Sequence, residues 1–220
     1  MPPEASTTVP APLAALSDAL GLDLSAAQGE RLMQFLALLQ RWNGTYNLTA
    51  VRDPATMVTQ HLADCLAAVP PLRRHLAASG ARRLLDVGSG GGLPGAVLAV
   101  VHDDLSVTCV DTVGKKAAFI QQVAVELRLR NLTAEHARVE QLSAPAFDVV
   151  TSRAFASLLD FTALTRRHLA PGAVWMAMKG KRPDDELAAL PADIDVFHVE
   201  PLAVPGLDAE RCLVWMKLKD

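Results

Sequence analysis

A glycine-rich turn between two apolar runs limits the folds open to this chain more than any other feature. Residues 83–95 read RLLDVGSGGGLPG, and the apolar run Ala96 to Val101 follows directly. Such a turn needs backbone angles that favour glycine, and glycines also let a ligand approach the main chain. Proline suits the first turn of a helix, so we place Pro94 there. The segment predicts a strand, a ligand-binding loop and a helix within an α/β sheet.

The glycine spacing leaves three interpretations of this loop. Gly90, Gly92 and Gly95 formally fit the G-x-G-x-x-G pattern of dinucleotide-binding loops, which is weak evidence when it stands alone. Asp86 lies before the first glycine, and the resulting D-x-G-x-G-x-G over 86–92 resembles the first motif of S-adenosylmethionine-dependent methyltransferases. The third interpretation is a purely structural turn. No Gly-Lys-Ser/Thr follows, which excludes a P-loop, and we favour S-adenosyl-L-methionine as the cofactor.

Length and composition indicate one α/β domain with a modest extension. The chain has 220 residues, of which 50% are hydrophobic and 20% are charged, so a sizeable core is expected. The net charge of −3 argues against a general nucleic-acid binder but leaves room for a local basic face. No signal segment or long apolar run is present, which predicts a soluble, cytoplasmic protein without membrane contacts. Cys65, Cys109 and Cys212 show no metal spacing, so we expect buried free thiols and no metal site.

The N-terminal part of the chain predicts helices. Residues 1–12 are rich in proline, serine and threonine and are expected to be disordered, and 13–80 form a helical extension. Apolar spacing predicts helices over 13–20 and about 26–42, followed by a polar-aromatic turn over 42–49. A further helix opened by Asp53-Pro54 carries His61 and Asp64, which are spaced to form a hydrogen bond. A structural pair is favoured over an acid–base pair because no nucleophile accompanies them.

The remainder, 81–220, alternates strands and helices. Strands are predicted at 84–87, 105–110, 132–136, 147–152 and 174–178, with a helix over about 157–169 and two closing strands at 195–200 and 211–218. This alternation predicts a doubly wound, mostly parallel, seven-stranded Rossmann-like methyltransferase sheet, an α/β fold with a small N-terminal helical extension.

The carboxyl ends of these strands carry the candidate site residues. Asp111 ends the second strand, where an acid can accept both ribose hydroxyls of an adenosine. Arg153 and Lys179 end the fourth and fifth strands, at the edge where such sheets bind ligands. An ion pair with a neighbouring acid is the alternative for Arg153. For Lys179 a functional and a structural role are equally favoured. In the functional role, its cation would suit RNA phosphates or the acceptor pocket.

The end of the fourth strand also limits which kind of target atom could accept a methyl group. It ends in Thr151-Ser152-Arg153-Ala154, without the Asn/Asp-Pro-Pro-Tyr/Phe that holds an exocyclic amine in many nucleic-acid methyltransferases. No Pro-Cys occurs, although carbon methylation of pyrimidines usually needs a catalytic cysteine. A target with its own lone pair, such as N7 of guanine, is therefore attractive. Catalysis there would consist mainly of alignment and desolvation.

Several motifs together resemble one family, the bacterial 16S ribosomal RNA guanine-N7 methyltransferases, also called glucose-inhibited division protein B. They span about 42–211, in order, as Trp42-Asn43, Tyr46-Asn47-Leu48-Thr49, Val51-Arg52-Asp53-Pro54, His61-Leu62-Ala63-Asp64, the 86–95 loop, Ser152-Arg153-Ala154-Phe155-Ala156, Met178-Lys179-Gly180, Val204-Pro205-Gly206-Leu207 and Glu210-Arg211. Cys65 and Gly91 stand where the family often has serine and proline, which puts no activity in doubt.

The resemblance implies methylation of one guanine of 16S rRNA, guanine 527 in the usual numbering, with the rRNA or the small ribosomal subunit as partner. We expect the enzyme to be a monomer. It implies cofactor contacts at Gly88, Leu93, Val139, Glu140 and Arg153, to which the loop and strand-end arguments add Asp86, Gly90 and Asp111. The catalytic candidates are Arg153 and Lys179. The RNA-binding candidates are Lys179, Lys181, Arg182 and Arg211.

Three other functions stay open at this point. A small-molecule methyltransferase would use the N-terminal helices as a lid, and a ribosome assembly factor would transfer methyl groups only secondarily. A dinucleotide oxidoreductase is the most distant, because the sequence offers no catalytic Tyr-Lys pair and its only tyrosine, Tyr46, lies in the N-terminal region.

Overall fold

The computed structural model describes residues 8–219 and begins with a set of helices. They are α1 (Ala11–Ala19), α2 (Ala26–Tyr46), α3 (Pro54–Met57), a π-helical segment (Val58–Ala63), α4 (Asp64–Leu66) and α5 (Val69–Ser79). Helix α1 starts inside the stretch expected to be disordered, so that prediction is wrong for residues 11–12, and residues 1–7 lie outside the described part. Pro12 fits there because its missing N–H would have no partner in a first helical turn.

Helix α2 is longer than the sequence pattern predicts. The side chains of Ser25 and Gln28 cap its start by accepting each other's backbone N–H. Its apolar stripe continues into the buried Asn43, whose carboxamide bonds to the backbone of Thr49 and Val51. These tertiary bonds keep the chain helical through Tyr46, so the turn expected from residue 42 begins only beyond it.

The rest of the described chain forms one seven-stranded sheet. Its strands are β1 (Arg83–Val87), β2 (Ser106–Asp111), β3 (Leu132–His136), β4 (Phe147–Arg153), β5 (Leu169–Lys179), β6 (Ile194–Pro201) and β7 (Cys212–Leu218), in the order β3-β2-β1-β4-β5-β7-β6. All neighbours from β3 to β5 are parallel, and β7 runs antiparallel to both β5 and β6. The predicted mostly parallel, doubly wound sheet is confirmed.

Helices cover both faces of this sheet. They are α6 (Gly95–Val101), α7 (Gly114–Glu126), α8 (Leu158–Thr165) and α9 (Asp184–Ala188), with 3-10 turns at Val139–Gln141 and Arg166–His168. Pro94 precedes α6 rather than lying in its first turn, and its peptide bond with Leu93 is cis. Helix α8 ends earlier than predicted and β5 starts earlier, because Leu169 already pairs with Phe147 on β4.

The N-terminal helices share the core of the sheet. Leu32, Phe35 and Leu39 of α2 belong to the same buried apolar cluster as Val97 of α6 and Phe119 of α7. This places the extension beside the glycine loop. Among residues 8–219, no helix combines the length and apolar character needed to cross a membrane.

Candidate active site

The glycine loop lies where β1 and β4 are neighbours and the connections leave to opposite sides. This crevice at the carboxyl ends of parallel strands is where open α/β sheets bind ligands. Gly88 has a positive φ of 67°, and its N–H donates to Val110 O of β2 at 2.9 Å. A Cβ added to Gly88 would lie 2.5 Å from the Phe155 ring, so only glycine fits the turn as it stands.

Two cavities meet at this point. The first, here called the loop cavity, has a volume of about 440 Å³ and is lined by Leu48, Thr49, Asp64, Gly88, Ser89, Gly90, Gly91, Leu93, Arg153, Ala154, Met178, Lys179, Gly180, Leu202, Arg211 and Cys212. The second, the Asp111 cavity, has about 350 Å³ and is lined by Val87, Gly88, Val110, Asp111, Thr112, Val113, Lys116, Ala137, Arg138, Val139, Glu140, Ala154, Phe155 and Leu164. Gly88 and Ala154 line both cavities, so the two form one elongated site.

A third depression continues from the loop cavity towards the surface. This basic cleft is lined by Gly180, Lys181, Arg182, Val199, Pro201, Leu202, Glu210, Arg211 and Cys212. It shares Gly180, Leu202, Arg211 and Cys212 with the loop cavity. All of the predicted site residues except Asp86 therefore line one connected surface.

Asp111 lies at the end of β2 as predicted, and it also holds the glycine loop. Its Oδ2 accepts the Gly90 N–H at 2.9 Å and its Oδ1 accepts the Val113 N–H at 2.8 Å. Each carboxylate oxygen keeps a second lone pair that can accept a further hydrogen bond. Ribose binding by Asp111 stays a prediction, and the structure adds a role in shaping the loop.

Asp86 lies beneath the loop and lines none of the three cavities. Its side chain is fully buried, and Oδ2 accepts the N–H of Gly95, the first residue of α6, at 2.8 Å. Within the described chain its Oδ1 has no hydrogen-bond partner. Burial raises the pKa of Asp86 to about 7. In this geometry Asp86 supports the loop from below and does not face the predicted cofactor space.

The predicted hydrogen bond between His61 and Asp64 is wrong. His61 Nε2 is 2.9 Å from Thr49 Oγ1, while Asp64 accepts hydrogen bonds from two arginines. The π-helical segment that carries His61 ends at Ala63, directly before Asp64. Burial lowers the pKa of His61, which favours the neutral imidazole.

Arg153 and Arg211 are the two partners of Asp64. Arg153 Nη1 donates to Asp64 Oδ2 at 2.9 Å, and Arg211 Nε donates to Asp64 Oδ1 at 2.7 Å. The alternative of an ion pair for Arg153 is therefore observed, and the arginine still lines the loop cavity. Sequence motifs contain all three residues, but they do not predict this contact, because the residues lie far apart in the chain.

Lys179 also has an acidic partner. Its ammonium group donates to both carboxylate oxygens of Glu186, at 2.7 and 3.0 Å, and to Ala156 O at 3.1 Å. Lys179 lies on the cofactor-side edge as predicted, but it is a paired cation. Of the two outer RNA-binding candidates, Arg182 pairs with Asp184, and both Arg182 and Lys181 are exposed.

Val139 and Glu140 lie in a 3-10 turn beside the Asp111 cavity. The Val139 carbonyl is 2.7 Å from His168 Nε2, and the Glu140 carbonyl accepts a bond from Arg167 at 2.9 Å. These contacts fix the position of the turn. Its contact with an adenine stays a prediction.

Several lining residues are not among the predicted site residues, and Leu48, Thr49 and Phe155 are three of them. Leu48 and Thr49 belong to the motif Tyr46-Asn47-Leu48-Thr49, and Phe155 belongs to Ser152-Arg153-Ala154-Phe155-Ala156. Membership of these two motifs, which carry the family resemblance, is the sequence signal for all three residues. The three cysteines are free and buried, as expected. Within residues 8–219, no three His, Cys, Asp or Glu side chains are placed to hold a metal ion.

Comparisons with known proteins agree with this geometry. A family model described as rRNA small subunit methyltransferase G (GidB) matches residues 28–214. A protein named ribosomal RNA small subunit methyltransferase G from Acidovorax sp. (strain JS42) is 64% identical over 208 residues, covering 91% of this chain and 92% of the relative. The protein of that name from Paracidovorax citrulli (strain AAC00-1) is 61% identical over 223 residues, covering 97% and 91%.

Solved structures show the fold. The glycopeptide N-methyltransferase MtfA, in complex with S-adenosylmethionine, superposes with a TM-score of 0.56 at 14% identity, covering 71% of this chain and 94% of that one. The ribosomal protein L11 methylase of Lactobacillus delbrueckii subsp. bulgaricus gives 0.53 at 14% identity, covering 70% and 78%. The fold and the close relatives lead to the same assignment: the chain is a methyltransferase and belongs to the rRNA small subunit methyltransferase G family.

Proposed function

We propose that the protein transfers a methyl group from S-adenosyl-L-methionine to N7 of one guanine in 16S rRNA, guanine 527 in the usual numbering. Methyl transfer to ribosomal RNA follows from the family. The finer assignment to N7 rests on one observation, the state of the only carboxylate in the described lining of the loop cavity. Each oxygen of that carboxylate, Asp64, accepts a hydrogen bond from a different arginine, so the carboxylate is the counter-ion of two cations.

The cavities fit the cofactor. The Asp111 cavity suits an adenosine, with the Asp111 carboxylate placed for the ribose and the Val139–Gln141 turn for the base. The loop cavity suits the methionine part, with Arg153 as a partner for its carboxylate. Gly88 leaves the junction open, because a Cβ would project into it beside Phe155. When bound, S-adenosyl-L-methionine supplies a methyl group on a positively charged sulfur.

The chain's own residues provide alignment without a base. Guanine N7 carries a free lone pair, so it attacks the methyl carbon directly while the carbon–sulfur bond breaks, and no proton has to leave first. An exocyclic amine would have to lose a proton, which requires an acceptor close by. Asp64 holds two cations instead, and burial raises the pKa of Cys212, which disfavours its thiolate. The lining therefore favours an acceptor of the N7 kind, reached from the basic cleft. We also propose that the enzyme is monomeric.

The decisive experiment maps the product. Purified protein is incubated with S-adenosyl-L-methionine and 16S rRNA from cells that lack the gene, and the RNA is then treated with the reductive cleavage that is selective for N7-methylguanine. We expect one cleavage, at guanine 527, that depends on the cofactor. A methyl group on an exocyclic amine or a pyrimidine carbon would contradict the N7 assignment, and tight binding of NAD would contradict the cofactor.

Asp111→Ala should weaken cofactor binding. Loss of a charged hydrogen bond to the ribose costs roughly 1.5–3 kcal/mol. Calorimetry with S-adenosyl-L-homocysteine measures this loss, and Asp103→Ala is the control, since that exposed acid lies outside all three cavities. Unchanged affinity in a folded Asp111→Ala protein would remove Asp111 from the site.

The RNA should bind across the cofactor edge of the sheet. Lys181 and Arg182 follow β5 in the basic cleft, while Arg82 and Arg83 stand at the start of β1, the opposite edge. Each phosphate contact contributes about 0.9 to the slope of log affinity against log salt for duplex DNA and about 0.7 for single strands. Lys181→Gln/Arg182→Gln should therefore lower that slope by roughly one to two units and leave cofactor affinity nearly unchanged.

The matched control is Arg82→Gln/Arg83→Gln, which removes the same charge. Filter binding of a 16S rRNA fragment at several salt concentrations should give the wild-type slope for this pair. A lower slope for the control pair and a normal slope for the test pair would mean that the RNA docks on another face.

A further inference from the structure

One buried carboxylate at the base of the loop cavity joins three separate parts of the chain. Asp64 belongs to the N-terminal helices, Arg153 ends β4, and Arg211 immediately precedes β7. The two contacts are 2.9 and 2.7 Å long, and each guanidinium uses a different carboxylate oxygen. The Asp64 side chain is 4% exposed, against 21% for Arg153 and 27% for Arg211. The acid is thus enclosed, while both arginines reach the cavity surface.

The two arginines serve different regions of the connected surface. Arg153 lines only the loop cavity, next to Ala154 at the junction with the Asp111 cavity. Arg211 lines both the loop cavity and the basic cleft. One carboxylate therefore touches a cation on the cofactor side and a cation on the acceptor side.

Both guanidinium groups keep donors free for other partners. The recorded bonds of Arg153 use Nη1, which donates to Asp64 and to Gln60 O. Those of Arg211 use Nε and Nη1, which donate to Asp64 and to Glu210 O. Within residues 8–219 no hydrogen bond is recorded for Nη2 of either arginine. The cluster also carries a net positive charge, since two cations share one anion, and this suits anionic ligands.

We propose that Asp64 is a positioning residue that orients Arg153 towards the cofactor and Arg211 towards the RNA, so that a single carboxylate aligns both substrates of the transfer. This inference rests on the proposed function for the identity of the two ligands. Asp64 has each of its oxygens bonded to an arginine, and in this role it needs no direct contact with either ligand. It acts through the arginines, whose long side chains would otherwise sample many rotamers.

A purely structural role predicts a different pattern. If Asp64 only joined the N-terminal helices to the sheet, its loss would lower the melting temperature and leave the constants of the remaining folded protein unchanged. A positioning role instead changes the affinity for both ligands in protein that is fully folded. The two roles are separated by measuring both affinities together with the melting temperature.

The experiment compares Asp64→Asn, Arg211→Gln and the double variant in the full-length protein. Dissociation constants are measured for S-adenosyl-L-homocysteine by calorimetry and for a 16S rRNA fragment by filter binding, together with both Michaelis constants. We expect Asp64→Asn to lower the affinity for each ligand by about tenfold or more, which is the scale of one lost charged hydrogen bond. Arg211→Gln should weaken RNA binding mainly. The double variant should bind RNA no more weakly than Arg211→Gln, because Asp64 acts on RNA only through Arg211.

The control is Asp193→Asn, which breaks an exposed ion pair with Arg166 outside the three cavities and should change neither affinity. The inference would be overturned if the double variant lost RNA affinity by the product of the two single-variant losses. It would also be overturned if Asp64→Asn changed the affinity for only one ligand. Wild-type protein that binds both ligands without methylating N7 would contradict the proposed reaction, while the binding pattern would still decide the role of Asp64.

A second variant covers the case in which Asp64→Asn does not fold. Asp64→Glu keeps the buried charges paired and moves both guanidinium groups by about one carbon–carbon bond length. Folded Asp64→Glu protein should bind both ligands several-fold more weakly, and wild-type affinities for both would overturn the inference.

Discussion

Replacing Gly88 by valine should abolish binding of S-adenosyl-L-methionine while the sheet stays folded. Gly88 is one of two residues that line both cavities, so a branched side chain would occupy the junction that the cofactor has to cross. Its φ of 67° disfavours valine, and the added Cβ would lie 2.5 Å from Phe155, a side chain at the cavity rim that has to move. Calorimetry with S-adenosyl-L-homocysteine should show no measurable heat of binding, and circular dichroism should show a folded protein.

The control variant Gly172→Val separates the effect of backbone strain from the effect of blocking the junction between the cavities. Gly172 has a φ of 76°, so valine is strained there too, but no other group lies within 4 Å of an added Cβ and the residue lines none of the three cavities. We expect this control to lose some stability and bind the cofactor normally. If Gly88→Val unfolds while Gly172→Val folds, Gly88 is mainly a structural residue.

Asp86→Asn should become increasingly stable relative to wild type as the pH rises. Asparagine keeps the oxygen that accepts the Gly95 N–H and removes the buried charge. The pKa of Asp86 is about 7 in the folded protein and near 3.9 in an unfolded chain. Between these values the unfolded state releases its proton and the native state keeps it, so wild-type stability falls as the pH rises through this window. Above pH 7 the full difference is at most about 4 kcal/mol.

Urea unfolding of both proteins at pH 5 and pH 8 measures this difference. Burial also lowers the pKa of His102, to about 4, which acts in the opposite direction over the same range. Because both proteins carry His102, its contribution cancels in the comparison. Parallel pH profiles would show that Asp86 is ionised in the native protein at neutral pH.

Local patterns in the sequence predict the strands and the loop because their causes are local. Gly88, Gly90 and Gly92 have positive φ angles that favour glycine, and Asp111 ends an alternating strand, so the loop and the strand end both follow from neighbouring residues. Parallel pairing then brings the ends of β1, β2, β4 and β5 to one edge. The candidate site could therefore be located before its geometry was known.

The side-chain partners could not be predicted in the same way. Asp64 is separated by 89 residues from Arg153 and by 147 from Arg211, so no local spacing indicates their contact. Helical spacing points instead to the nearby His61, which bonds to Thr49. The end of α2 was missed for a related reason, since the bonds of Asn43 to the following turn extend the helix.

The hydrogen bonds that hold the glycine loop affect the free energy of ligand binding. Three of its amides are held by the strands beneath it: Gly88 by the Val110 carbonyl, Gly90 by Asp111 and Gly95 by Asp86. These bonds are made within the protein itself and hold the turn conformation, so binding does not have to freeze a mobile segment. Little conformational entropy is lost on association, and more of the contact energy appears as affinity. The two buried acids, Asp86 and Asp111, thus preorganise the loop for ligand binding.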